Sequence, residues 1–103
     1  MARLIMEQHF DAPLPEGEYD RLAKRLDPCL EAHGAVWVRS ALSADGTHVI
    51  CEFEAADAEA VRASYRSAGV PFARVWVATV YAVEDYPDAK AKLEAHRASV
   101  AKK

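Results

Sequence analysis

An α+β fold with the element order β-α-β-β-α-β is what this sequence predicts, and three observations predict it. The stretch VWVRSALSADGTHVICEFE, Val36 to Glu54, places Asp45-Gly46 between two alternating runs, the strongest short-range signal for a β-hairpin. Two segments, Glu18 to His33 and Ala58 to Ala68, repeat apolar residues at helical spacing. Two further alternating runs, Arg3 to Phe10 and Arg74 to Val83, stand at the outer ends of this arrangement.

The first run, RLIMEQHF, is expected to be a strand with Leu4, Met6, Gln8 and Phe10 on one face and Ile5, Glu7 and His9 on the other. Pro13, Pro15 and Gly17 mark the loop that follows. In the first helix Tyr19, Leu22, Leu26, Cys29, Leu30 and His33 form the inward stripe, and Gly34 suits the position just past its end. Pro28 interrupts its backbone bonding, so a kink or a division into two shorter helices is expected.

A two-residue type I′ turn at Asp45-Gly46 sets a register by counting outward: Leu42 opposite Val49, Ser40 opposite Cys51, Arg39 opposite Glu52, Val38 opposite Phe53 and Trp37 opposite Glu54. One face then carries Val36, Val38, Ser40, Leu42, Val49, Cys51 and Phe53 and reads as dry core. The other carries Trp37, Arg39, Ala41, Ser43, His48, Ile50, Glu52 and Glu54, a mixture that is neither core nor plain solvent surface.

Asp57 is a suitable N-cap for the second helix, which buries Val61, Ser64 or Tyr65, and Ala68 before Gly69. The last run, RVWVATVYAV, is apolar on both sides and suits a strand covered on both faces. Right-handed crossovers place the first strand beside the third and fourth, giving the ferredoxin-like or split βαβ arrangement. Residues 1–86 form this domain, and 87–103 add a C-terminal helix or tail whose closing Lys102-Lys103 is expected to be solvated.

Two helices cover only one face of such a sheet. The face with Trp37 and Ile50, joined by Trp76 if the fourth strand presents it there, is too apolar to leave wet, so a homodimer enclosing a barrel-like interior is expected. A net charge of −3 and the lack of a dominant basic patch argue against a nucleic-acid partner. No run approaches the roughly 18 apolar residues of a membrane span and no signal peptide opens the chain, so a cytoplasmic protein without a membrane partner is expected. Cys29 and Cys51 form no zinc or redox spacing and read as reduced, buried thiols.

Glu7 and His9, two apart on one strand, point the same way. A carboxylate and an imidazole so placed suit one divalent transition metal or one shared proton. Glu52 and His48 join the same wall if the third strand neighbours the first. The plainer readings are an Arg39–Glu52 cross-strand pair, Glu7 paired with Arg39 or Arg3, His9 at a strand end in water, His48 exposed beside the turn, and Trp37 and Trp76 as core or interface anchors. There is no GxGxxG, P-loop, HExxH or nucleophile elbow, which argues against a nucleotide enzyme or serine hydrolase.

The run W-V-x-S, then S-x-D-G, then C-x-x-E-A-x-D-x-E-A-V-R, within WVRSALSADGTHVICEFEAADAEAVR, resembles the nickel-binding-protein-like family of small bacterial proteins, long listed as a domain of unknown function. The similarity spans roughly Arg3 to Val83. It implies a ferredoxin-like fold dimerising as an α/β barrel, with Glu7 and His9 matching the acidic residue and histidine of the first strand in the nickel-binding member. Where that member carries histidines on and after the second helix, this chain has Tyr65 and Val70.

Three functional readings follow. The leading one is a small homodimeric ligand-binding protein holding a divalent transition metal such as nickel at Glu7 and His9, with Arg39 and Glu52 balancing charge. The second is a cofactor-independent monooxygenase, cyclase or isomerase, with His9 as base and Trp37, Trp76 and Tyr81 shaping an apolar pocket. The third is a structural or interaction protein with no small-molecule site.

Overall fold

The computed structural model describes residues 1–101, so the expectation for Lys102-Lys103 lies outside the described residues. Strand β1 (Ala2–His9) leads through α1 (Glu18–Ala32) to β2 (Val36–Leu42) and β3 (His48–Ala55), then through α2 (Ala58–Ala68) to β4 (Arg74–Ala78). The strands form one antiparallel sheet in the order β2-β3-β1-β4. This is the ferredoxin-like arrangement, with β1 and β3 central as the right-handed crossovers require.

Both helices pack on one side of the sheet. Leu4 and Met6 of β1, Val49, Cys51 and Phe53 of β3, and Val75 of β4 meet Leu26 and Leu30 of α1 and Val61 and Tyr65 of α2. The Tyr65 ring stands edge-on to Phe53 at 6.1 Å and to Phe72 at 5.7 Å, a favourable aromatic geometry. Ser64 is fully buried within α2 and satisfies its hydroxyl by donating to the carbonyl of Ala60 at 2.8 Å.

Local signals explain the helix ends. Asp57 accepts from the Ala60 amide at 2.9 Å and caps α2, which closes at Gly69 with φ 67°. At the end of α1, Gly34 takes φ 69°, and the Ala35 amide donates back to the Leu30 carbonyl at 2.9 Å in a Schellman closure. Helix α1 runs unbroken through Pro28, so the two-piece alternative is not what forms. The C-terminal segment is a helix, α3 (Pro87–Ala101), with no buried residue, entered through a 3-10 turn at Val83–Asp85.

Four expectations are corrected. The hairpin turn is not type I′, because Asp45 keeps a negative φ and only Gly46, at φ 76°, is left-handed. The Gly46 amide donates to the Ser43 carbonyl at 2.9 Å, while the Asp45 carboxylate accepts from the Thr47 amide at 3.1 Å and its hydroxyl at 2.6 Å. Side-chain bonding from aspartate thus builds a longer turn without the strained backbone.

The register is as expected from Leu42↔Val49 to Arg39↔Glu52, but then shifts at a β-bulge so that Trp37 pairs with Phe53 and Val36 with Glu54. Val38 is the extra residue. Trp37 therefore belongs to the helix side and Val36 to the open side, the reverse of the even alternation. The indole N–H of Trp37 donates to the Ser40 hydroxyl at 2.8 Å. Residues three apart on a regular strand face opposite ways, and the bulge brings these two together.

Strand β4 stops at Ala78 rather than Val83, because its partner β1 runs out: Ala78 already pairs with Arg3. Tyr81 consequently lies outside the sheet and is 77% exposed. Val77 is exposed as well, so β4 is covered on its helix side only at Val75.

Candidate functional site

The helix-free face is built by alternation on four strands. Ile5, Glu7 and His9 of β1 stand between Ile50, Glu52 and His48 of β3 and Arg74 and Trp76 of β4. Arg39 joins from β2 opposite Glu52. Apolar and charged groups share the surface, with Val36, Ile50 and Trp76 all roughly half exposed.

Two carboxylates organise its charge. Glu52 is nearly buried and lies between two guanidinium groups, accepting from Arg3 Nη1 at 2.6 Å and from Arg39 Nε at 2.9 Å. Both oxygens are thereby occupied, as a buried anion demands. Arg3 also reaches Glu54 at 3.5 Å. Glu7 accepts from Arg74 Nε at 2.5 Å and from the Trp76 indole at 2.8 Å. The Arg74 bond, followed by that of Trp76, holds the Glu7 carboxyl below the usual range, and Glu7 in turn raises the Arg74 guanidinium.

The partner expected for Glu7 was Arg39 or Arg3. Topology instead supplies Arg74, since β4 pairs with β1 and sets Glu7 opposite Arg74. Arg3 and Arg39 converge on Glu52, making the expected Arg39–Glu52 pair one half of a triad.

His9 pairs directly with His48 across β1 and β3, and their ring centroids lie 3.9 Å apart with the planes at 64°. Both side chains are exposed at the end of the sheet nearest the hairpin. His48 Nδ1 lies 2.9 Å from the Thr47 hydroxyl, so the turn chemistry reaches this pair. Among the described residues, no group of three or more His, Cys, Asp or Glu side chains is gathered closely enough to hold a metal ion.

The aromatic residues expected to share a pocket are in three different places. Trp76 lies on the helix-free face against Glu7, Tyr81 lies beyond the end of β4, and Trp37 lines a cavity on the helix side. Tyr65 and Val70, at the positions where the resemblance implies histidines, also line that cavity. The sheet separates them from His9. Arg74 and Arg3 escaped the sequence reading as site residues because their roles depend on strand pairing; the signal available was Arg74 at the start of a strand that must run antiparallel to β1.

Among the described residues no helix is long and apolar enough to cross a membrane. A search of curated proteins gives no match. The crystal structure of SCO4226 from Streptomyces coelicolor A3(2) superposes with a TM-score of 0.71 at 12% identity, covering 79% of this chain and 100% of that one. At that identity the likeness speaks for the shared fold. A family model described as nickel responsive protein SCO4226-like matches residues 4–77, a span reaching from β1 into β4 that includes both histidines of the cross-strand pair. The chain belongs to the nickel responsive protein SCO4226-like family.

Proposed function

We propose that this protein is a small homodimeric ligand-binding protein that takes a divalent transition metal, nickel by the name of its family, between the helix-free sheet faces of two copies. The observation that carries the reading is the His9–His48 pair, two exposed imidazoles 3.9 Å apart on the face that no helix covers. Imidazole suits nickel, zinc and copper, and the two rings come from adjacent strands of a rigid sheet.

The donor set fits such an ion in part. Within one copy it stops at two imidazoles, because the nearby Glu7 carboxylate is engaged by Arg74 and Trp76. A two-fold pairing doubles whatever one face offers, since an isologous interface presents the same patch twice. The half-exposed Val36, Ile50 and Trp76 give that pairing an apolar contribution, and the balanced Arg3, Arg39 and Glu52 triad enters it with little uncompensated charge. In this arrangement His9 and His48 hold the metal, Glu7 supplies a carboxylate once Arg74 is displaced, and Glu52 anchors the arginines beside them.

Calorimetric titration with Ni²⁺ and Zn²⁺, together with light scattering for mass, tests the reading. The wild type is expected to be a dimer that binds Ni²⁺, with His9→Ala and His48→Ala each weakening binding by about tenfold or more. Glu7→Gln is expected to weaken it less. A monomer, or equal binding by wild type and both histidine variants, overturns the proposal.

A further inference from the structure

On the other side of the sheet, we propose a second, unrelated site: the cavity between α1 and the β2–β3 edge binds a neutral, fused-ring aromatic molecule carrying one hydroxyl or carbonyl oxygen.

The cavity has a volume of about 390 Å³. A cavity of about 150 Å³ accepts a benzene, so this one has room for two fused rings with a substituent, and it lies within the ordinary range of small-molecule pockets. It exists because α1 leaves β2 partly uncovered: Leu26 and Leu30 are buried against the sheet, while Leu42 on β2 stays half exposed. The bulge at Val38 then turns Trp37 toward this side, where its ring forms one wall at the open edge. Trp37 is 56% exposed, an unusual cost for an indole whose N–H is already satisfied by Ser40. A flat ring laid against it removes that apolar surface from water.

The inner wall is aromatic and polar in a specific way. Tyr19, Phe53 and Tyr65 surround Cys51. The Cys51 sulfur accepts from the Ser40 hydroxyl at 2.9 Å and lies 3.7 Å from the Tyr19 hydroxyl. Sulfur is a weak acceptor, so the Tyr19 hydroxyl, which has Cys51 and Ser40 as its neighbours, gains by exchanging the sulfur for a ligand oxygen. Burial raises the Tyr19 phenol to about 12, which keeps it protonated and able to donate to an oxygen. Charge decides the class of ligand. The lining includes Asp20, Asp27 and Lys24, all exposed positions of α1, so two carboxylates outnumber one ammonium at its mouth. A neutral molecule is therefore favoured over an anionic one.

The two tryptophans, one on each side of the sheet, make the test direct. Addition of 2-naphthol to the full chain, followed by nuclear magnetic resonance, is expected to shift the Trp37 indole N–H and the amides of Leu22, Leu26 and Cys51. The Trp76 indole, His9 and Ile50 are expected to stay in place. By calorimetry, Ala23→Phe, an exposed α1 position on the cavity wall that tolerates a larger side chain, should weaken binding by about tenfold or more. Tyr19→Phe should weaken it by about three- to tenfold, and should not affect naphthalene, which lacks the oxygen. Shifts confined to Trp76 and the helix-free face, or unchanged binding by a folded Ala23→Phe variant, overturn the site. Tighter binding of 2-naphthalenesulfonate than of 2-naphthol overturns the neutral class. Ni²⁺ binding is read on the opposite face, so either reading can fail without the other.

Discussion

The two faces of the sheet come from the same strands and the same alternation, yet they solve opposite problems. On the helix side, Leu4, Met6, Val49, Cys51 and Phe53 are buried by α1 and α2 and owe their stability to packing within one chain. On the other side, Ile5, Ile50 and Trp76 alternate with Glu7, Glu52, Arg3, Arg39 and Arg74, and the charges neutralise one another locally. The first face is finished by the chain itself. The second has its electrostatics completed but its apolar surface still exposed, which sets it apart from a core and leaves it available to the two-fold pairing proposed above. Polar groups in a mostly apolar wall are thus compatible with folding when each finds its partner on a neighbouring strand.

The sharpest way to break the contrast is to truncate two residues of β3 that point opposite ways. Phe53→Ala is expected to lower stability by about 3–5 kcal/mol, measured by urea unfolding, through the cavity it leaves. Ile50→Ala is expected to cost roughly 1 kcal/mol or less in dilute protein and to make the unfolding midpoint depend less on concentration. Equal costs for the two would abolish the distinction between core and interface.

Next in size is Glu52→Gln, which leaves Arg3 and Arg39 facing a neutral group. The carboxylate is nearly buried but both arginines are substantially exposed, so a loss of about 1–3 kcal/mol is expected. A double-mutant cycle with Arg3→Ala should recover a coupling between them. Asp57→Ala, which removes the cap of α2, should cost about 1 kcal/mol by the same unfolding measurement without changing the mass by light scattering or the response to Ni²⁺ titration. The smallest effect belongs to the hairpin. Its Asp45 carboxyl is lowered from 3.8 to about 2 by bonds from Ser43 and Thr47. A carboxyl whose folded value is depressed stabilises above its unfolded value and loses that contribution as pH falls through the folded one. Stability followed from pH 5 to 2 should therefore decline more in wild type than in Asp45→Ala, over the window from about 4 to about 2.

Much of this was legible in the sequence, and the failures are informative. The burial of Leu4, Met6 and Gln8 and the outward set Ile5, Glu7 and His9 followed from period 2, because β1 is a regular central strand. The caps at Asp57 and Gly69 were legible because they depend only on local chemistry. Trp37 was not, since a bulge is a matter of how an edge strand meets its neighbour and Val38 gives no local sign of it. The end of β4 was hidden for a related reason: RVWVATVYAV alternates well, but a strand continues only while a partner does. At the candidate site, the pairing of Glu7 with Arg74 and of His9 with His48 required knowing which strands touch and in what register. The residues were visible, but their partners were not.

The extra residue in β2 conceals a plain alternation. Deleting the single codon for Val38 would set Trp37 directly beside Arg39, and a regular strand would then keep the indole opposite Phe53, on the side where it already lies. A one-residue loss at this point thus straightens the strand while every side chain keeps its surface. Relatives one residue shorter before this turn should therefore carry the aromatic immediately before the arginine.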